Sequence, residues 1–408
     1  MTFPTLALIV AVALIGPLLA WSDRLRIPVV LGELAAGIIV GHTGFNLIDP
    51  TSFTFLANLG FAMVMFEVGS HVPVRDRSLH QGTKPALYHL ALVTVLSIGL
   101  AWVVARLFGT GHVALYAVLF ASSSAAVILP AALSMRIPGS LMVRILPQVA
   151  IADAACIVAL PLVIDPAKAG TAALGALAVI GCGVGIYFLL RESVKRGWGA
   201  ALHKKSSKRG FALELRISLL LLLLLAALAV GTRVSIMLAG FVLGLVVAAV
   251  GAPRRLARQL FGLTEGLFAP IFYVWLGASL DLRNLGTHPS MIALGVALAA
   301  GAVLAHASAA IFKQPLSLAV LASAQLGVPV AAATLGDQLD LLAPGEDAAL
   351  LLGALLTIVA ATIGGRLSLR LVPASRKKPT TPAAAPSTPR RRQPRGAGHR
   401  KGSHNPSR

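Results

Sequence analysis

The sequence predicts an all-α polytopic membrane protein with about thirteen transmembrane helices, and three observations support this fold class. Of the 408 residues, 57% are apolar and only 12% are charged. Soluble proteins carry about 25% charged residues, so this chain lacks the polar side chains to cover a water-facing surface. Apolar runs recur along the chain at about the 20-residue length that crosses a bilayer. The runs are continuous rather than alternating, which predicts helices and excludes barrel strands.

The charges between the apolar segments predict an orientation. Thirteen segments lie at about 3–21, 28–41, 53–70, 86–108, 112–134, 143–164, 170–190, 212–231, 234–251, 264–281, 290–312, 316–336 and 347–371. Alternate loops share a side, and one side then holds 30 Lys and Arg against three on the other. The positive-inside rule places the N-terminus outside and the C-terminus in the cytoplasm, in the plasma (inner) membrane. The outer loops carry acids instead: Asp49, Asp165, Asp281, Asp337, Asp340, Glu346 and Asp347.

Half of the net charge of +20 belongs to the C-terminal tail. Residues 373–408 hold ten Lys and Arg and no acid, among mostly Pro, Ala, Ser and Thr. Such a segment buries too little apolar surface to offset its ordering entropy, so a disordered basic cytoplasmic tail is predicted. Its expected contact is anionic lipid. Nucleic acid is not expected as a partner, because no aromatic or fold signature accompanies the charge.

Motifs for catalysis or for a resident cofactor are absent from the sequence. The chain has no His-Glu-x-x-His, no Gly-x-Ser-x-Gly and no Walker loop. Its two cysteines, Cys156 and Cys182, lie inside apolar segments and offer no Cys-ligated metal site. The sequence therefore predicts neither an enzyme nor a cofactor, and no metal beyond a transported cation.

A weak internal repeat relates the fifth and twelfth segments. Residues 117–124 resemble residues 319–325, and Pro130 and Pro329 follow the two copies. The copies are seven segments apart, an odd offset that makes them cross the membrane in opposite directions. This predicts an inverted repeat within a transmembrane domain of residues 1–371, with halves at about 3–165 and 212–371 and a connector at 170–190. Paired interrupted helices point to a transporter's binding site, although Ala/Ser-rich helices can also resemble each other by composition.

Asp153 is the most informative single residue. It lies in the middle of the sixth segment without a basic residue nearby in sequence. A charged carboxylate at that depth costs about 2.5–3.5 kcal/mol, so such residues are usually functional. Desolvation favours the protonated form, and protons and cations then compete for one carboxylate, which is antiport chemistry. The structural alternative is a protonated Asp that is hydrogen-bonded to a neighbouring helix.

Three further polar residues lie within segments. Glu33 and Glu67 are near the cytoplasmic ends of segments 2 and 3, where they either line a cytoplasmic funnel or are satisfied as helix-end carboxylates. His306 is deep in segment 11 and is either a proton-sensitive partner of Asp153 or a locally satisfied histidine.

Five stretches recur in a characteristic order: IPVVLGELAAGIIVGH at 27–42, LGFAMVMFEVG at 59–69, SSSAAVI at 122–128, AGFVLG at 239–244 and IFYVWLGASLDL at 271–282. Together they resemble the sodium/proton exchanger superfamily and most of all its Kef-type monovalent cation:proton antiporter branch. Each motif is loose alone, whereas their order and spacing across residues 1–371 are specific. The resemblance implies the sodium/proton antiporter fold, in which two discontinuous helices cross.

The resemblance also implies site residues and partners. Asp153 would be the ion- and proton-binding acid, with further ligands at Ser122, Ser123 and Ser124 and around Gln325. The membrane lysine that many family members carry would fall near His306, which makes His306 a possible charge partner. Protons and Na+ or K+ would be the transported ions, and the assembly a homodimer. The chain departs from the family pattern at Ala152, where a polar residue is usual, and at residues 325–327.

The sequence as a whole predicts a secondary active antiporter that exchanges protons for a monovalent cation by alternating access. The alternative is a non-transporting membrane sensor or scaffold that retains the exchanger fold, and the apolar Ala152 beside Asp153 is its motivation.

Overall fold

The computed structural model describes residues 2–21, 28–72, 77–197, 211–251, 254–280 and 282–371, and the regular structure in these ranges is helical. The helices are α1 (Phe3–Ala13), α2 (Ile15–Ala20), α3 (Val29–Val40), α4 (Thr54–His71), α5 (Arg77–Phe108), α6 (Val113–Ala121), α7 (Ala125–Ser134), α8 (Gly139–Ile164), α9 (Ala169–Lys195), α10 (Leu213–Gly231), α11 (Ile236–Val250), α12 (Arg254–Leu263), α13 (Ala269–Ser279), α14 (Leu282–Gly286), α15 (Pro289–Ala307), α16 (Leu316–Ala322), α17 (Gly327–Gln338) and α18 (Glu346–Ser368). A π-helical turn at Thr264–Phe268 joins α12 to α13. The predicted tail, 373–408, lies outside the described residues.

The thirteen predicted segments correspond to helices. Eleven helical stretches in the described ranges are long and apolar enough to cross a membrane, judged by length and composition. Two shorter apolar helices, α3 and α11, coincide with the predicted segments 28–41 and 234–251. The prediction of an all-α polytopic membrane protein is therefore confirmed.

Four helices, α3, α4, α11 and α13, pack with their backbones in contact, and we call them the panel. Glycines permit this approach. A methyl group on Gly240 would collide with the carbonyl oxygen of Ala62, and one on Gly277 with that of Leu34. Small residues are typical of helix interfaces in membranes because they allow such close van der Waals packing. The contacts leave the panel helices little room to move relative to one another.

A second group, which we call the core, consists of α6, α7, α8, α15, α16, α17 and α18. Helix α18 packs closely on α16, since a methyl group on Gly364 would lie 2.8 Å from the carbonyl oxygen of Ser317. At α17, panel and core meet through side chains. A methyl group on Gly327 of α17 would lie 3.0 Å from the Met237 sulfur and 3.5 Å from the terminal carbon of Met65. Methionine side chains are flexible and adapt to irregular surfaces.

Helix α18 also establishes that the two interrupted spans run in opposite directions. Its first residue, Glu346, is hydrogen-bonded to His112, which immediately precedes α6. Its last turns pack on Met135, just after α7, and on Ser317, in the first turn of α16. The span α6–α7 is therefore parallel to α18 and the span α16–α17 is antiparallel to it. An inverted repeat predicts this arrangement.

The panel packing predicts the effect of one added methyl group. Gly240→Ala should lower the melting temperature in detergent, because the methyl group meets backbone that cannot yield. Overpacking of this kind costs about 1–3 kcal/mol. Gly185→Ala on α9 is the matched control, because open space surrounds that position and alanine favours a helix by up to about 1 kcal/mol. Equal melting temperatures for the two variants would contradict the close panel contact.

Candidate ion-binding site

Asp153 lies at the centre of the core with its carboxylate at the beginning of a helix. Helix α8 carries the side chain, which is only 1% exposed. Its Oδ2 atom accepts a hydrogen bond of 3.0 Å from the backbone N–H of Ala125, the first residue of α7. The start of a helix presents free N–H groups and a positive dipole end, so it stabilises a negative charge. No other hydrogen bond or ion pair joins Asp153 to the described residues.

The first interrupted span breaks at the three serines that separate α6 from α7. Serine side chains compete for backbone hydrogen bonds, which favours a helix end at this point. The Ser122 hydroxyl donates to the Leu119 carbonyl at 2.8 Å, and the Ser123 hydroxyl donates to the carbonyl of Ala322 in the other interrupted span. The Ser124 hydroxyl is buried and has no hydrogen-bond partner in the described structure. It is thus an oxygen available to a ligand.

The second interrupted span breaks at residues 323–326, between α16 and α17, and crosses the first break. The Ser124 N–H donates to the Ala324 carbonyl at 2.7 Å. In return, the Gln325 side-chain amide donates to the carbonyl of Leu119 in the first span. Hydrogen bonds therefore join the two breaks directly and help to satisfy their backbone groups, as the absence of water in a bilayer requires.

Thr357 is a site residue that the sequence analysis missed. This side chain on α18 is fully buried, and its hydroxyl accepts a 3.1 Å hydrogen bond from the Gln325 N–H and donates one of 2.7 Å to the Ala354 carbonyl. Threonine in an apolar helix carries no distinguishing sequence signal, because its hydroxyl often bonds to its own preceding turn. Only the meeting of α18 with the second break identifies it.

Hydrogen bonds connect Asp153, the three serines and Gln325 to the two breaks, and in the described structure none connects His306 to them. His306 is 1% exposed, and its Nδ1–H donates to the Ala302 carbonyl on its own helix at 3.0 Å. This bond is the local one that the sequence analysis gave as the alternative. No hydrogen bond joins His306 to Asp153 in the described structure, and the role of charge partner stays a prediction.

Glu33 and Glu67 lie on the panel helices α3 and α4. Glu33 is 3% exposed, and one carboxylate oxygen of Glu67 is buried without a hydrogen-bond partner among the described residues. Both carboxyls lie within electrostatic range of Glu265, in the π-helical turn, which the sequence analysis did not single out. Their predicted place in a funnel stays a prediction.

A second buried cluster was also missed. The sequence analysis grouped Glu346 with the acids of the outer loops, but the residue is fully buried. Its Oε1 accepts hydrogen bonds from His112 Nδ1–H at 2.8 Å and from the Tyr116 hydroxyl at 2.6 Å. Sequence separation of about 230 residues concealed this contact.

Comparison with known proteins gives the family. The family model described as "Sodium/hydrogen exchanger, transmembrane" matches residues 10–369. The chain is 24% identical over 380 residues to "Putative Na(+)/H(+) antiporter YjbQ" of Bacillus subtilis (strain 168), which covers 87% of this chain and 61% of that protein. It is 27% identical over 300 residues to "Glutathione-regulated potassium-efflux system protein KefC" of Enterobacter sp. (strain 638), which covers 69% of this chain and 45% of that protein.

The fold is that of a solved antiporter. The structure matches the sodium proton antiporter MjNhaP1 from Methanocaldococcus jannaschii with a TM-score of 0.61 and 17% identity, over 90% of this chain and 98% of that one. The chain spans less than two thirds of the length of either curated relative above, and the match to KefC supports the Kef-type branch only weakly. The family model covers nearly all of the membrane helices, and the chain therefore belongs to the sodium/hydrogen exchanger transmembrane family.

Proposed function

We propose that this protein is a secondary active antiporter that exchanges protons for a monovalent cation by alternating access. One observation carries the proposal: the buried carboxylate of Asp153 lies at the start of α7, where two interrupted helices cross, without a cationic side chain bonded to it in the described structure. Such a carboxylate needs a proton or a cation to be neutral in an apolar interior.

The exchange follows from competition for Asp153. When the carboxyl is protonated it is neutral and binds no cation. When it is ionised, the α7 N-terminus stabilises part of the charge, and a cation completes the neutralisation with oxygen ligands. The Ser124 hydroxyl is the available oxygen, and the backbone carbonyls of the unwound segments are others. One carboxylate without a fixed countercharge implies an electroneutral exchange of one proton for one cation.

Alternating access requires the site to face the two sides of the membrane in turn. The packing supports a movement of the core against the panel, because glycine-mediated backbone contacts hold the panel together while methionine side chains separate it from α17. Binding at a crossing of broken helices between two such groups is typical of secondary transporters.

The proposal also covers which cation is transported, how the chain is oriented in the membrane and how it assembles. The names of the relatives assign Na+/H+ antiport to one and potassium efflux to another, so Na+ and K+ are both candidates. The distribution of loop charge supports a plasma (inner) membrane location with the N-terminus outside and the C-terminus in the cytoplasm. A homodimer and a contact of the basic tail with anionic lipid complete the proposal.

Replacement of Asp153 tests the proposal directly. In proteoliposomes with a pH-sensitive dye, Asp153→Asn should abolish proton flux on addition of Na+, K+ or Li+, because the amide does not titrate. Asp165→Asn is the control, since Asp165 ends the same helix and pairs with Lys168 outside the core. Flux that persists in folded Asp153→Asn would remove this residue from the mechanism. Absence of flux in the unmodified protein would favour the sensor or scaffold.

The two serine hydroxyls at the first break should behave differently. Ser124→Ala removes a buried hydroxyl without a partner in the described structure, so the melting temperature should stay or rise. The cation KM should increase several-fold, because an available oxygen ligand is lost. Ser122→Ala removes a hydroxyl that already bonds to Leu119 and should leave the KM nearly unchanged. Equal KM values for the two variants would contradict the ligand role of Ser124.

A further inference from the structure

The Glu346 cluster binds the first interrupted span to α18. Both carboxylate oxygens are satisfied, Oε1 by His112 and Tyr116 and Oε2 by the backbone N–H of Ala343 at 2.9 Å. His112 immediately precedes α6 and Tyr116 lies in its first turns. Charge-assisted hydrogen bonds to a buried carboxylate are stronger than those between neutral groups. The N-terminal half of the first interrupted span is therefore fixed at one end by Glu346.

The same helix also holds the second interrupted span. Thr357 follows Glu346 by eleven residues, and at about 100° per residue the two side chains lie within about 20° of each other around α18. Thr357 accepts its hydrogen bond from the Gln325 N–H. One face of α18 thus contacts both spans: its first residue, Glu346, contacts α6, and Thr357, in its middle, contacts the second break.

A short segment connects Glu346 to the ion-binding crossing. Tyr116 precedes Leu119 by three residues, less than one turn of α6. The Leu119 carbonyl accepts hydrogen bonds from the Ser122 hydroxyl and from the Gln325 side chain. A displacement of α6 would therefore move the carbonyl that both unwound segments share.

We propose that Glu346 is a positioning residue for cation binding, which holds the crossing in register through Tyr116 and His112 and couples cation affinity to protonation of His112. This inference rests on the proposed antiport at Asp153. The side chain of His112 is 31% exposed and can take up a proton from solution, whereas that of Glu346 is fully buried. Among the described residues, the titratable groups that contact His112 are Glu346 on α18 and Tyr116 on α6.

The direction of the pH effect follows from the hydrogen bond. The bond to Glu346 raises the pKa of His112, with burial opposing it and the negative charge adding to it. Because the pKa is raised, the stabilisation that the charge of His112 gives to its bond with Glu346 is fully present below the ordinary histidine value of about 6.5. It is lost as the pH rises through the raised pKa. The contribution of His112 to cation affinity should therefore fall as the pH rises on the side of the membrane that carries it, in opposition to the gain in affinity that ionisation of Asp153 gives.

The test compares two carboxylates at the start of α18. Glu346→Gln keeps the size of the side chain and removes its charge, and Asp347→Asn makes the same change at the next residue. In proteoliposomes, Glu346→Gln should raise the cation KM about tenfold with a maximal rate within about twofold of the unmodified protein, and Asp347→Asn should leave both unchanged. His112→Gln should remove the part of the pH dependence of KM that His112 contributes and leave the part that proton competition at Asp153 causes.

Tyr116→Phe covers the case in which Glu346→Gln does not fold. It removes one hydrogen bond and leaves the His112 contact, so the KM should rise while its pH dependence persists. An unchanged KM in folded Glu346→Gln or in Tyr116→Phe would overturn the proposal, as would an unchanged pH profile in His112→Gln. Failure of the antiport itself is recognised separately, because the unmodified protein and Asp347→Asn would then show no cation-dependent flux.

Discussion

The hydrogen bond from the Ala125 N–H to Asp153 is the interaction on which the site depends. Interruption of a membrane helix exposes backbone groups to an apolar interior, where an unpaired group costs several kcal/mol. Here the Asp153 carboxylate accepts a hydrogen bond from one of these groups, the Ala125 N–H. The two breaks are also joined to each other by hydrogen bonds, from Ser124 to Ala324 and from Gln325 to Leu119. The carboxylate proposed to bind an ion is therefore also one of the groups that make the break tolerable.

The division into panel and core follows from where the small residues lie. In the panel, glycines bring backbones into contact, and any movement between those helices would meet carbonyl oxygens. In the core, α18 is hydrogen-bonded to both interrupted spans and so links them. The transport proposal needs two units that are each stiff, and the packing of this chain provides both.

Much of the fold was predictable from the sequence because its signals are local. Apolar length predicted thirteen segments, and the repeat of small and polar residues followed by Pro130 and Pro329 marked both breaks. Asp153 stood out as a carboxylate in an apolar run.

Thr357 and the Glu346 cluster were not predictable, because both depend on which helices meet, and hydropathy does not encode that. Glu346 in particular follows Gly345 at the start of an apolar run, so its sequence context is that of a loop acid. For His306 the sequence left open a local bond and a distant partner, and the described structure shows the local bond to Ala302.

The contact of Met65 and Met237 with Gly327 has a consequence for the energy of movement. Dispersion between thioethers and a bare backbone is weak for each atom pair and has no preferred direction. A lateral shift at this contact therefore breaks no hydrogen bond, and the contact itself would contribute little to the energy needed to move α17 past the two methionines.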